Sequence, residues 1–299
     1  MKPGISRTIS ILSAIVLGAL IPQAHEAAWL VRWLVSWMLF AVFLQTRMSR
    51  EMLRPSHGAL LAANFAIGFS AYGAGWLVGG RDLALAAFFC GITPTATAAP
   101  VIMSFLKGRV AYVIGALMLS NLTIAASMPV LLPFVLGRPT PHLFLDVTRT
   151  MLGVVFAPFA VAWLVCRIHP PAEQWPRRLA NVTFFTWVTC IFLVTANGSE
   201  SLRAQANSPH LFVLGVALAA LVVCAASFSI GRLIGGRAFG REASQALGQK
   251  NTAFTIFLAM TFVSPLVALG PTFYVLWHNL WNSWQLHQQA VRDHESTSS

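Results

Sequence analysis

Charge is what this sequence has least of. Asp, Glu, Lys and Arg make up 10% of its 299 residues, against roughly 25% in an ordinary soluble domain. Hydrophobic types make up 57%. That balance excludes a soluble globular enzyme, a disordered chain and a nucleic-acid binder. Acids are scarcer than bases: 9 Asp and Glu stand against 20 Lys and Arg, a formal net charge of +11. The bases fall between long apolar runs, so the excess reads as membrane topology and not as a nucleic-acid surface. Cysteine is scarce too. Cys90, Cys166, Cys190 and Cys224 all lie in apolar runs and form no CxxC pair. They read as small core residues, without a disulfide framework or a structural zinc. No HExxH and no phosphate-loop GKT run occurs, and Gly235-Gly236 reads as a hinge or a turn.

Long apolar runs are what the chain does have. A helix needs about 20 apolar residues to cross a bilayer core. Ten runs qualify, near 8–22, 29–46, 58–79, 83–105, 110–136, 150–167, 179–196, 210–231, 242–262 and 264–286. The first resembles a signal peptide in its flanks, but the count works best if it is retained as a span. The connections are short, so no soluble domain is inserted, and residues 288–299 read as a loose, polar, cytoplasmic tail. With the N-terminus inside, fourteen bases fall on the inner side and five on the outer, with Lys250 apart. The positive-inside rule then puts both termini in the cytoplasm and the protein in the cell (inner) membrane. Ten spans divide into two fives. Because five is odd, a second five-helix unit starts from the opposite face, which is how inverted repeats arise in secondary transporters. The expected fold is an all-α membrane protein of ten transmembrane helices, with repeats at 1–140 and 141–287.

Two spans, the fourth and the ninth, carry interruption signals. Unwound backbone in a membrane is tolerated only where it lines a cavity or is buried in protein. The fourth holds Thr93-Pro94-Thr95-Ala96-Thr97 and then Pro100. Each proline removes a backbone donor and clashes with the preceding turn, so freed carbonyls and the hydroxyls of Thr93, Thr95 and Thr97 become candidate ligands. The ninth holds Gln249-Lys250-Asn251-Thr252 inside an apolar segment. Lys250 is the one charged residue placed well inside a span, at a cost of at least about 2.5–3.5 kcal/mol on insertion scales. Its depth follows from Arg241, nine residues earlier and about 13 Å away along a helix. Ser120, Asn121 and Thr123 lie at the centre of the fifth span, where helix packing and a site role are equally open. Trp277-His278-Asn279 and Trp281-Asn282-Ser283-Trp284 read as an interfacial aromatic belt.

At these residues the sequence resembles the bile acid:sodium symporter family along essentially its whole length. The ninth-span run Gly248-Gln249-Lys250-Asn251-Thr252-Ala253 falls where that family has Glu-x-Gly-x-Gln-Asn followed by a small polar residue and Ala. The segment from Pro94 to Lys107-Gly108 is similar to the family's Pro-Gly-Gly-x-x-Ser-Asn run and its Lys-Gly turn. The resemblance implies a panel domain, a core domain in which broken helices 4 and 9 cross, a substrate cavity between them, and alternating access, usually coupled to sodium. The departures are specific. Ala246 stands where the family has its motif Glu, Lys250 where it has Gln, and Ala99 and Pro100 where it has Ser and Asn. Sodium wants oxygen ligands, and no Asp or Glu remains inside a span. An ammonium is a built-in monovalent cation, so Lys250 stands as a candidate substitute for the sodium ion.

The implied function is a secondary transporter for a small organic anion. It is not an enzyme, has a lipid bilayer and no nucleic acid as partner, and needs no cofactor beyond a possible sodium or proton as coupling ion. Its substrate and ion residues are expected among Thr93, Thr95, Thr97, Ser120, Asn121, Thr123, Gln249, Lys250, Asn251 and Thr252. A sodium-coupled symporter, an arsenite-type efflux carrier using Cys90, a sensor, and an integral-membrane enzyme remain as alternatives.

Overall fold

The computed structural model describes residues 3–44, 52–203 and 209–298. Lys2, Arg47 and Arg50, which enter the charge bias, lie outside them. Every regular element among the described residues is helical: α1 (Pro3–Leu20), α2 (Leu30–Leu44), α3 (Pro55–Ile92), α4 (Ala98–Phe105), α5 (Val110–Val135), α6 (Pro141–Met151), α7 (Ala157–Ile168), α8 (Trp175–Arg178), α9 (Ala180–Arg203), α10 (Pro209–Gly248), α11 (Thr252–Phe262) and α12 (Pro265–Ser298). Among the described residues, five helical stretches are long and apolar enough to cross a membrane: Pro55–Ile92, Val110–Val135, Pro141–Ile168, Asn181–Glu200 and His210–Gly248. The chain is an all-α protein with the helices of a multi-pass membrane protein.

Two of these stretches are not single rods. A straight helix of the 38 residues in α3 would run about 57 Å at 1.5 Å per residue, against a hydrocarbon core of about 30 Å. The chain reverses instead at Gly80, whose φ of +74° suits a residue without a Cβ. The returning arm packs closely on the outgoing one, because a Cβ on Gly91 would lie 2.6 Å from Gly68 Cα. α10 repeats the design. It turns at Gly236 (φ +56°) and Phe239, and its last arm returns along its first. Each returning arm ends in a short non-helical stretch, which leads into α4 in one case and α11 in the other.

Two details depart from the sequence expectation. The sixth apolar stretch begins at Pro141 and not near residue 150, because Thr140 caps α6 by accepting from Leu143 N at 3.2 Å. It continues through a wide turn at Leu152–Phe156 into α7. The tail does not loosen at Gln288: α12 runs on to Ser298, and no Gly or Pro stands between 288 and 298 to stop it. The core falls into two large apolar clusters. One joins α2, α9, α11 and the returning arm of α3; the other joins α3, α4, α5, α10 and α12. The two non-helical stretches lie between them.

Candidate functional site

Pro94 ends the returning arm of α3, because it has no N–H to donate and holds Thr93 in extended backbone, with ψ 131°. Pro100 falls in the first turn of α4, where a missing N–H costs nothing. In the other half, α10 stops at Gly248 and α11 begins at Thr252. The stretches between meet as an antiparallel bridge of Thr95 with Lys250. Ala96 N donates to Gln249 O at 2.7 Å, and Asn251 N donates to Pro94 O at 2.8 Å. Two interrupted helices thus satisfy each other's backbone where neither can satisfy its own.

Lys250 occupies this crossing. It is 2% exposed. Its Nζ donates to Asn64 Oδ1 and to Gly91 O, the latter at 3.0 Å. Both acceptors are neutral. The nearest acid in sequence, Glu242, accepts from Arg109 N at 3.0 Å at the base of α5. No salt bridge to Lys250 is present among the described residues. The amino group is held by neutral acceptors among the described residues, and burying its charged form there carries a desolvation cost.

The remaining polar groups close around the backbone. Thr93 donates to Phe89 O and shares a 2.8 Å hydroxyl contact with Thr255. Thr95 Oγ1 donates to Ala246 O at 2.6 Å, and Ser120 Oγ donates to Thr95 Oγ1 at 3.0 Å. Asn121 Nδ2 donates to Thr95 O at 2.8 Å and its Oδ1 accepts from Asn251 Nδ2 at 3.2 Å. Tyr274 donates to Gly248 O at 2.8 Å, and Asn64 Nδ2 to Ile92 O at 2.9 Å. The carbonyls of Gly91, Ile92, Pro94, Thr95, Ala246, Gly248 and Gln249 therefore all have protein donors.

The structure brings Thr93, Thr95, Ser120, Asn121, Gln249, Lys250, Asn251 and the buried Thr252 together at the crossing. Thr97 and Thr123 are half-buried and take no part in these hydrogen bonds among the described residues. The sequence reading missed Asn64, Thr255 and Tyr274, and it misassigned Asn282. The stretch from Trp277 to Trp284 is not a plain interfacial belt. His278 is 1% exposed and Asn282 4%. Asn282 Oδ1 accepts from Gln245 Nε2 at 3.0 Å, and its Nδ2 donates to Gln249 Oε1 at 2.5 Å. With Gln285, also bonded to Gln245, these amides form a polar seam between α12 and the end of α10. The signal was the spacing: Gln245 and Gln249 are four apart and Asn282 and Gln285 three apart, so each pair shares a helix face. Asn64 gave a weaker signal, as an isolated amide in an apolar run.

No group of three or more His, Cys, Asp or Glu able to hold a metal exists among the described residues. Cys90, Cys190 and Cys224 are buried free thiols. A cleft of about 480 Å³ opens between α2, α6, α9 and α11, lined by Trp29, Arg32, Trp33, Asn197 and Phe257 among others. No protein-family model matches the sequence, and no curated protein matches it significantly.

Proposed function

We propose that the protein is a secondary active transporter of the bile acid:sodium symporter type. It moves a small organic anion by alternating access, with Lys250 in place of a sodium ion. The observation that carries this reading is a buried lysine amino group at the crossing of two interrupted helices, held by Asn64 Oδ1 and Gly91 O without a carboxylate. An ionisable group placed so deep in an apolar bundle argues for a purpose. Interrupted helices that meet at mid-chain in each half are where such carriers keep their ion and substrate groups.

Sodium independence has its own support. The nearest acid in sequence, Glu242, is bonded to Arg109 N, and Ala246 stands where the resemblance calls for an acid. The topological reading goes with it. Counting α3 and α10 each as a crossing plus a returning half, the helices group into ten spans in two halves. In this reading α1 to α5 make one half and α6 to α12 the other, the second in opposite orientation, with the break near Gly137 to Pro141. The positive-inside bias then puts both termini in the cytoplasm, in the cell (inner) membrane. A protonated Lys250 at the crossing suits an anion, and the cleft beside Arg32 has room for one.

The test is uptake by purified protein in liposomes, with small carboxylates, sterol acids and pantothenate as substrates. Sodium and proton gradients are imposed in turn, and wild type is compared with Lys250→Gln. Proton-driven or gradient-free uptake that disappears in Lys250→Gln is the expected result. Uptake that stops when sodium alone is withdrawn overturns the substitution of lysine for sodium.

A further inference from the structure

The cleft of about 480 Å³ between α2, α6, α9 and α11 falls in the size range of small-molecule sites. α11 starts at the crossing, at Thr252, and gives the cleft Phe257 and Met260. Trp29 and Trp33 come from the other side of the chain, at the start of α2. Among the described residues, Arg32 is the one charged side chain in the lining. It is exposed, and no carboxylate pairs with it among the described residues. Its Nη2 lies 3.3 Å from the position that a Cβ on Gly153 would take. The guanidinium thus reaches from α2 to the wide turn that follows α6, and the missing side chain of Gly153 leaves it room. Its central carbon lies 6.0 Å from the Trp33 ring centroid, a cation–π distance. A guanidinium carries five N–H donors, and here its neighbours are an aromatic ring and a glycine. Asn197, half-buried on α9, lines the same cleft, and its amide has no hydrogen-bond partner among the described residues.

We propose that this cleft binds a monocarboxylate with an apolar, ring-sized body, and that Arg32 is the residue that selects the negative charge. The guanidinium fork matches a carboxylate with two parallel hydrogen bonds. Asn197 Nδ2 is a further donor, and the body of the ligand packs among Trp29, Trp33, Phe257 and Met260. One cation in the lining matches one negative charge. Lys250 does not line the cleft, and its amino group is spent on Asn64 and Gly91. The lysine therefore serves the crossing, and the arginine serves the ligand. The binding site stands on the cleft and its unpaired donors alone; that its occupant is cargo rests on the function proposed above.

Binding followed by ¹⁹F NMR tests it, on the full chain in phosphatidylcholine nanodiscs with empty nanodiscs as the blank. The probes are 4-(trifluoromethyl)phenylacetate and the matching neutral amide. Wild type is expected to bind the acid about tenfold or more tighter than the amide, as charge-assisted pairing requires. Acetate, which has no body, is expected to compete at least about tenfold more weakly than the ring acid. Arg32→Gln is expected to weaken the acid about tenfold and leave the amide within about twofold. Arg32→Lys keeps the charge without the fork and is expected to fall between. Asn197→Leu is expected to weaken the acid about threefold or more. Arg138→Gln, an exposed base outside the cleft, is expected to change neither probe. A wild type that does not prefer the acid overturns the proposal, as does a preference that survives Arg32→Gln or acetate that competes as well as the ring acid. The preference is expected to persist when phosphatidylglycerol is added to the nanodiscs. A preference lost with that lipid makes the cleft a headgroup site and overturns the proposal too. None of these readouts needs transport. Arg32-dependent binding in a protein that moves no carboxylate in liposomes refutes the transport reading alone, and carboxylate uptake that is indifferent to Arg32→Gln refutes this site alone.

Discussion

Asn64 is worth more to stability than the lysine it serves. In Asn64→Leu the Lys250 ammonium keeps only Gly91 O among its acceptors, and Ile92 O loses its donor. A hydrogen bond to a charged group contributes about 1.5–3 kcal/mol and a bare buried carbonyl costs about 1–3 kcal/mol. The expected loss is therefore about 2.5–6 kcal/mol, or roughly 5–24 °C in melting temperature at about 2–4 °C per kcal/mol. Lys250→Met works in two opposing directions. It leaves Asn64 Oδ1 and Gly91 O without their donor, at about 1–3 kcal/mol each. It also removes a buried charge that costs at least about 2.5–3.5 kcal/mol to hold in an apolar bundle. The net change runs from a gain of about 1.5 to a loss of about 3.5 kcal/mol, centred well below the loss in Asn64→Leu. The double variant Asn64→Leu/Lys250→Met is expected to melt above Asn64→Leu alone, because the charge left uncompensated in the single variant is gone. The assay is tryptophan-fluorescence melting of the four proteins in nanodiscs. A Lys250→Met protein that melts below Asn64→Leu, or a double variant that loses the sum of the single losses, refutes the reasoning: the ammonium would then be a net stabilising element.

Two further predictions follow from packing and from the polar seam. Gly91→Ala places a methyl 2.6 Å from Gly68 Cα and is expected to cost about 1–3 kcal/mol by overpacking, whereas Gly73→Ala, with open space around its Cβ position, is expected to be neutral or stabilising by up to about 1 kcal/mol; melting curves that do not separate the two refute the close approach of the α3 arms. Asn282→Leu strips Gln249 Oε1 of its donor and is expected to cost about 1–3 kcal/mol, while Asn282→Leu combined with Gln249→Leu recovers part of that loss; full additivity in a double-mutant cycle would mean that the two amides do not interact.

Much of the fold was legible because its cause is local. An apolar run in a chain with so few charges can be satisfied only as a helix that pairs its own backbone groups. Every apolar run in the sequence carries a helix. The breaks were legible for the same reason: Pro94 and Pro100 bracket one, and the polar run from Gln249 to Thr252 marks the other. Lys250 stood out as the only buried cation in a run. Asn64 and Asn282 did not. An asparagine beside Ala63 and Phe65 carries no local sign that it faces a lysine 186 positions later. A Trp-rich stretch looks the same whether its amides face headgroups or the end of α10.

Local covalent facts in the sequence determined where backbone hydrogen bonding must fail: the missing N–H of proline, the free φ of Gly80 and Gly236, the cluster of polar side chains at 249–252. Only the tertiary structure decided how those failures are repaired. Two interrupted stretches far apart in sequence meet and exchange Ala96 N to Gln249 O and Asn251 N to Pro94 O, and Asn64 supplies the oxygen that the buried ammonium needs. The reason is physical: an unpaired polar group inside an apolar bundle has no water to turn to, so its partner is whatever the fold brings within 3 Å.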